Sequence, residues 1–179
     1  SKAVKRQIDT SLTIGPQTPL VEEVADRFRR MTGHERSAFC NTGSEAVLGC
    51  MRTARTVTGR STIAIFTGSY HGIFDEVIVR ATKKLRAYPA APGILPNTAE
   101  NVLVLDYGTD ESLEILRARA HELAAVMVEP IQSRAPEIQP REFLHEIRKI
   151  TTEAEAAFIF DEVITGFRTG PKGAQGFYG

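Results

Sequence analysis

Four short stretches carry residues able to do chemistry, and each follows an apolar run. In Asn41-Thr42-Gly43-Ser44-Glu45-Ala46, a glycine and hydroxyls precede an amphipathic segment. A helix starting there would offer free N–H groups and the positive end of its dipole, which suits a phosphate. Gly43 would let the backbone approach closely, and the Ser44 hydroxyl would add a donor. The same residues also describe an ordinary helix cap. In Gly68-Ser69-Tyr70-His71-Gly72, an aromatic could form a flat wall for a planar ring, or pack on the core rim. His71 could hydrogen-bond or titrate near neutrality. In Asp161-Glu162-Val163-Ile164-Thr165-Gly166, Asp161 ends a wholly apolar run, so its carboxylate needs a partner. A protonated ring nitrogen would serve, as would a helix N-cap role or an ion pair with Arg168. Glu129-Pro130-Ile131-Gln132 adds a second carboxylate and an amide, readable equally as a buried structural ion pair.

Together these stretches offer a phosphate cup, an aromatic wall and a carboxylate. Pyridoxal 5′-phosphate presents a phosphate, a flat ring and a pyridinium nitrogen that all need holding. No GxxxxGK[ST] or GxGxxG occurs, which argues against a nucleotide-binding or dehydrogenase-type domain.

The elements that must position these residues follow from apolar periodicity. Helices are expected over Pro19–Met31, Ser44–Val57, Asp110–Glu122 with Asp110 as N-cap, and Pro140–Glu155. Strands are expected at Ser37–Cys40, Thr62–Phe66, Val102–Leu105, Ala124–Val128 and Ala157–Phe160, and a Pro-rich loop at Tyr88–Asn97. Short apolar strands separated by helices imply an α/β fold with a mostly parallel sheet and helices on both faces. Ligands of such sheets bind beyond the carboxyl ends of the strands, where all four stretches fall.

Composition sets the outer bounds. The 179 residues are 42% hydrophobic and 25% charged, with 22 basic and 22 acidic side chains. These are ordinary values for one globular domain or a large piece of one. A net charge of zero gives no field favouring nucleic acid or an acidic membrane. The longest apolar runs, such as Ala124–Val128, are too short to span a bilayer. No signal-peptide core stands at the N-terminus. Cys40 and Cys50 lack metal-ligand spacing and read as reduced, mostly buried thiols, as in a cytoplasmic protein. Both ends read as cut, so the chain reads as a fragment.

The stretches MTGHERSAFCNTGSEA (31–46), RTARTVTGR (52–60), IFTGSYHG (65–72), VEPIQSRAPEIQPREFL (128–144) and FIFDEVITGFR (158–168) resemble class III pyridoxal-phosphate aminotransferases. The resemblance is nearest to glutamate-1-semialdehyde aminomutase and to the aminotransferase domains of hybrid polyketide/nonribosomal peptide synthases. The run from Gln132 to Leu144 looks most like the synthase-embedded kind, as in cyanobacterial toxin and lipopeptide assembly lines.

The resemblance implies that residues 1–179 are part of the large domain of the aspartate-aminotransferase fold, truncated at both ends. It implies that Gly43 and Ser44 bind the cofactor phosphate, that Tyr70 stacks on its ring, that Asp161 pairs with the ring nitrogen as a catalytic residue, and that Val163 packs on the other ring face. Many relatives carry Gln where Ile164 stands, so the partner of the ring hydroxyl differs here. None of Lys2, Lys5, Lys83, Lys84, Lys149 and Lys172 matches the family's cofactor-anchoring lysine, which implies an inactive fragment. The implied reaction moves an amino group from a donor to a carbonyl, with a carrier-bound β-keto acyl thioester as one acceptor. The alternatives are an aminomutase of the glutamate-1-semialdehyde type and a non-catalytic relative of the fold. The family further implies a homodimer with sites at the subunit interface. A sheet lacking some of its strands would expose an unpaired edge.

Overall fold

A computed structural model describes residues 1–10 and 18–179, in two compact units. The first, Ser1–Ala38, holds helices α1 (Lys2–Thr10) and α2 (Pro19–Thr32). Pro19 starts α2 where its missing N–H costs nothing, and Gly33 ends it at φ 84°. On its surface Arg29 and Arg30 flank Asp26, and the Arg29 hydrogen bond leads in holding that carboxyl below its usual range.

The second unit, Phe39–Gly179, carries the sheet. Its strands are β1 (Thr62–Phe66), β2 (Val79–Ala81), β3 (Ala87–Pro89), β4 (Val102–Leu105), β5 (Leu123–Val128) and β6 (Ala157–Phe160). Four of them form a parallel sheet in the order β4-β1-β5-β6, while β2 and β3 make a separate antiparallel pair. Every residue of β4 and β5 is buried, as expected for strands covered on both faces.

Alternation in β1 assigns the two faces. Ile63 and Ile65 point to a core shared with Val47, Met51 and Ala54 of α3 (Gly43–Thr58). Ala64 and Phe66 point to an opposite core, filled by Leu113 and Leu116 of α4 (Asp110–Arg119) and by Phe143, Leu144, Ile147 and Ile150 of α5 (Arg141–Glu153). Phe66, Tyr107 and Phe143 meet there edge to face, with ring centres 5.4–5.5 Å apart. Ile147 is fully buried in this second core. Ile147→Ala is expected to lower the unfolding free energy of the full-length protein by about 2–5 kcal/mol, read as a shift in its urea midpoint.

Several expectations change. Residues 37–40 form no strand, since no described strand bonds to them. Thr109, not Asp110, caps α4 by accepting from Ser112 N. The 88–97 segment is not all loop: it includes the end of β3 and the start of a 3₁₀ turn at Pro96–Ala99. A short helix, α6 (Gly173–Tyr178), follows β6. Cys40 and Cys50 are exposed rather than buried. Strand β6 lies at one end of the strand order, with Ala157–Phe160 half-buried. No described helix is long and apolar enough to cross a membrane.

Candidate functional site

The N-terminus of α3 is built by Thr42 and Glu45. Thr42 is extended (φ −139°, ψ 156°), and its hydroxyl accepts from Glu45 N at 3.2 Å. The Glu45 carboxylate reaches back to accept from Asn41 N and Thr42 N, at 2.8 Å each. This reciprocal capping box satisfies the outer amides. It also releases Ser44 from capping. Its Oγ instead accepts from Ile73 N at 3.2 Å. Among the described residues the amides of Gly43 and Ser44 have no hydrogen-bond partner. Two free donors therefore stand at the positive end of a sixteen-residue helix.

The turn after β1 is held by the turn after β5. Glu129 and Gln132 are both buried. Glu129 accepts from Tyr70 N at 3.1 Å and from Ser133 N at 3.0 Å, and the Gln132 amide donates to Thr67 O at 3.0 Å. Glu129 has no cationic partner among the described residues, so the expected ion pair is replaced by backbone amides, which satisfy a buried carboxylate equally well. The hydroxyls of Tyr107 and Tyr178 both donate to Pro130 O, at 2.9 and 3.4 Å. Burial pushes the Tyr107 phenol well up, with Tyr178 and Glu129 adding to it.

Asp161 ends β6. Its amide continues the ladder to Val128 O at 2.8 Å. Its side chain pairs with neither Arg168 nor a helix: Oδ2 lies 2.7 Å from His71 Nδ1, and Oδ1 accepts from Val163 N at 3.2 Å. A carboxylate can only accept, so Nδ1 is the donor. The pair is deeply buried, with side-chain exposures of 1% and 6%. The other ring nitrogen of His71 is buried without a partner.

These contacts close a ring. Val163 stands against Gly43, where a Cβ would lie 2.9 Å from Val163 Cγ2. Ser44 follows Gly43 and bonds to Ile73, which follows Gly72. His71 precedes Gly72 and bonds to Asp161, two residues before Val163. Gly43, Ser44, Asp161 and Val163 are therefore linked by direct contact, with Tyr70 adjacent to His71. Tyr70 (52% exposed) and Val163 (66%) present open faces instead of filling the core rim. Ile164 is also exposed and, being apolar, offers no hydrogen bond.

Three features went unread in the sequence. His71 is the partner of Asp161; a buried acid requires one, and the chain has only four histidines. Glu162 accepts from Ala174 N at 2.6 Å and Gln175 N at 3.0 Å, capping α6; no local signal links residues a dozen apart. Cys50, although exposed as a residue, has its thiol pushed up, first by partial burial and then by Asp161 and Cys40. A cavity of about 570 Å³ also lies at the opposite, amino ends of β1 and β4, lined in part by Thr62, Leu85, Arg86, Tyr88, Val102 and Arg119.

The ring has an oxyanion's donors, an open aromatic face and a buried, hydrogen-bonded carboxylate. These fit the phosphate, ring and ring nitrogen of the expected cofactor. Comparisons agree in kind. A family model described as aminotransferase class-III matches residues 1–177. A glutamate-1-semialdehyde 2,1-aminomutase of Methanothermobacter thermautotrophicus is 38% identical over 180 residues, covering 99% of this chain and 43% of that protein. Among solved structures, an omega-transaminase from Sphaerobacter thermophilus superposes with a TM-score of 0.91 at 28% identity, over 99% of this chain and 43% of that one. A transaminase with PLP bound gives a TM-score of 0.89 at 30% identity, with the same two coverages. The chain thus spans less than half the length of these relatives. The chain belongs to the class-III aminotransferase family.

Proposed function

We propose that Gly43, Ser44, Tyr70, Asp161 and Val163 hold pyridoxal 5′-phosphate, and that the full protein uses it to move an amino group from an amino donor to a carbonyl. Residues 1–179 are then part of the larger, cofactor-binding domain. The observation that carries this is the closed ring of contacts, with the buried His71–Asp161 pair at its base. The free amides of Gly43 and Ser44 receive the phosphate. The exposed Tyr70 ring and Val163 take the two faces of the pyridine ring. Asp161, fixed through its two oxygens by His71 and Val163 N, holds a proton on the ring nitrogen. When bound, the cofactor supplies an electron-withdrawing ring conjugated to the substrate's amino-bearing carbon.

The test uses the full-length protein with pyridoxal 5′-phosphate, an amino acid donor and a keto acid. Visible absorbance of retained cofactor and formation of the donor's keto acid are expected. Absence of both overturns the reading. The 179-residue chain alone is expected to give no keto acid, because none of its lysines stands in the ring just described.

A second reading, an aminomutase, draws support from the names of the relatives. It predicts amino-group movement within glutamate-1-semialdehyde with no external acceptor. The natural-product reading, with a carrier-bound β-keto acyl thioester as acceptor, rests on the Gln132–Leu144 run. Amino transfer to such a thioester tests it. We take the full protein to be a cytoplasmic homodimer with its sites at the subunit interface.

A further inference from the structure

We infer that Arg134 is a specificity residue that recognises an anionic group, a carboxylate in the first instance, on the substrate of this site. The inference rests on the cofactor reading above.

Arg134 lies on the turn that follows β5, the same turn whose Glu129 and Gln132 side chains are bonded to the Tyr70 turn. Its guanidinium carbon sits over the Tyr70 ring, 6.0 Å from the centroid. That distance is at the outer reach of a cation–π contact, worth about 0.5–1 kcal/mol at an exposed site. The contact orients the guanidinium without consuming its hydrogen-bond donors. Arg134 is exposed and makes no ion pair or hydrogen bond among the described residues. The carboxylates of the turns after β5 and β6 and of the start of α3 include Glu45, Glu129, Asp161 and Glu162. The acids are engaged, all four by backbone amides and Asp161 by His71 as well. Arg168 is the other arginine of these turns, but no contact ties it to Tyr70.

A free guanidinium presents five donors in a planar fork that matches a carboxylate bidentately. Here the fork is steadied on one face by an aromatic ring and borne by a turn with two buried anchors, so little freedom is lost when an anion binds. The result is an uncommitted cation steadied on Tyr70, beside turns whose carboxylates are already engaged. An amino acid or keto acid carries a carboxylate close to its reacting carbon; a simple amine does not. Arg134 therefore favours the acid over its uncharged counterpart.

The experiment uses the full-length protein incubated with pyridoxal 5′-phosphate. Calorimetry measures the binding of 3-phenylpropanoate and of its uncharged amide to wild type, Arg134→Gln and Arg134→Lys. Wild type is expected to prefer the anion. Arg134→Gln should weaken the anion about tenfold or more and leave the amide unchanged. Arg134→Lys should keep part of the preference, as a point charge without the fork. A merely packing role would weaken both probes alike. That result, or a wild type that binds both probes equally, overturns the inference. Absorbance of retained cofactor is read on the same samples. Charge preference without cofactor uptake would discard the cofactor reading and keep the anion site; cofactor uptake without charge preference would do the reverse.

Discussion

Asp161→Asn in the full-length protein is expected to cut amino transfer by about 10²–10³-fold, the usual scale for losing one preorganised electrostatic contact in an active site. The reason lies in a conflict of donors. Asp161 now accepts twice, from His71 Nδ1 at 2.7 Å and from Val163 N at 3.2 Å. Asparagine has one acceptor oxygen and one NH₂ group. If the oxygen faces Val163 N, the NH₂ confronts the His71 Nδ1–H. The imidazole can escape by moving its proton to Nε2, but that atom is buried without a partner, and an unsatisfied buried donor costs about 1–3 kcal/mol. If the oxygen faces His71 instead, Val163 N loses its acceptor and the loop against Gly43 loosens. Either way the neutral amide no longer holds a proton on a ring nitrogen. Cofactor retained after dialysis, and kcat measured at saturating cofactor, separate the two losses. A variant with wild-type kcat would remove Asp161 from the chemistry.

Gly72→Ala should be the more damaging change for assembly. Gly72 has φ +107°, and an added Cβ would lie 2.4 Å from Ser44 Oγ, 2.9 Å from Ser44 Cβ and 3.0 Å from Ser44 Cα. The hydroxyl could rotate away, but the Cα belongs to helix α3 and cannot. Backbone strain and overpacking together should cost about 2–4 kcal/mol. The displacement falls on the free amides at the start of α3, so cofactor affinity should drop by about tenfold or more. Gly93→Ala is the control: its φ is +89°, with nothing within 4 Å of a new Cβ, so only the strain of about 1 kcal/mol remains. Urea midpoints and cofactor titrations of the two variants should therefore diverge. Equal behaviour would mean that the approach of Gly72 to Ser44 carries no weight.

Much of this architecture is legible in the sequence because it is written in local pattern. The face Val47, Met51, Ala54 repeats with a helical period, and the runs TIAIF, VLVL and AFIF are continuous, rich in β-branched or aromatic residues and too short for buried helices. The positions of three of the four stretches, after β1, β5 and β6, follow from the parallel-sheet rule, while the Asn41–Ala46 stretch follows no described strand and is placed by its helix cap. What stayed hidden needs contact between residues far apart in the chain. His71 and Asp161 are ninety residues apart, and nothing local shows that the acid chooses a histidine over Arg168. Glu129 reads as half of an ion pair until the backbone of Tyr70 is seen to supply its donor. Residues 37–40 have strand-like composition, yet composition makes no hydrogen bonds, and a strand exists only with a partner. The cap at Thr109 in place of Asp110 is a one-residue matter of dihedral angle.

The strand order has a kinetic consequence. β1 lies at the interior of the sheet between β4 and β5, and those neighbours are synthesised some forty and sixty residues after it. Parallel pairing allows no hairpin shortcut, so every ladder in this sheet must close a long loop before any hydrogen bond rewards it. Among the described residues only the β2–β3 pair is local, and it bears none of the ring residues. Helices and that hairpin should form within microseconds, while the turns carrying Tyr70 and Asp161 meet only after β5 has zipped to β1 and β6 to β5. Refolding followed by helix content should then run ahead of refolding followed by recovery of the ligand site.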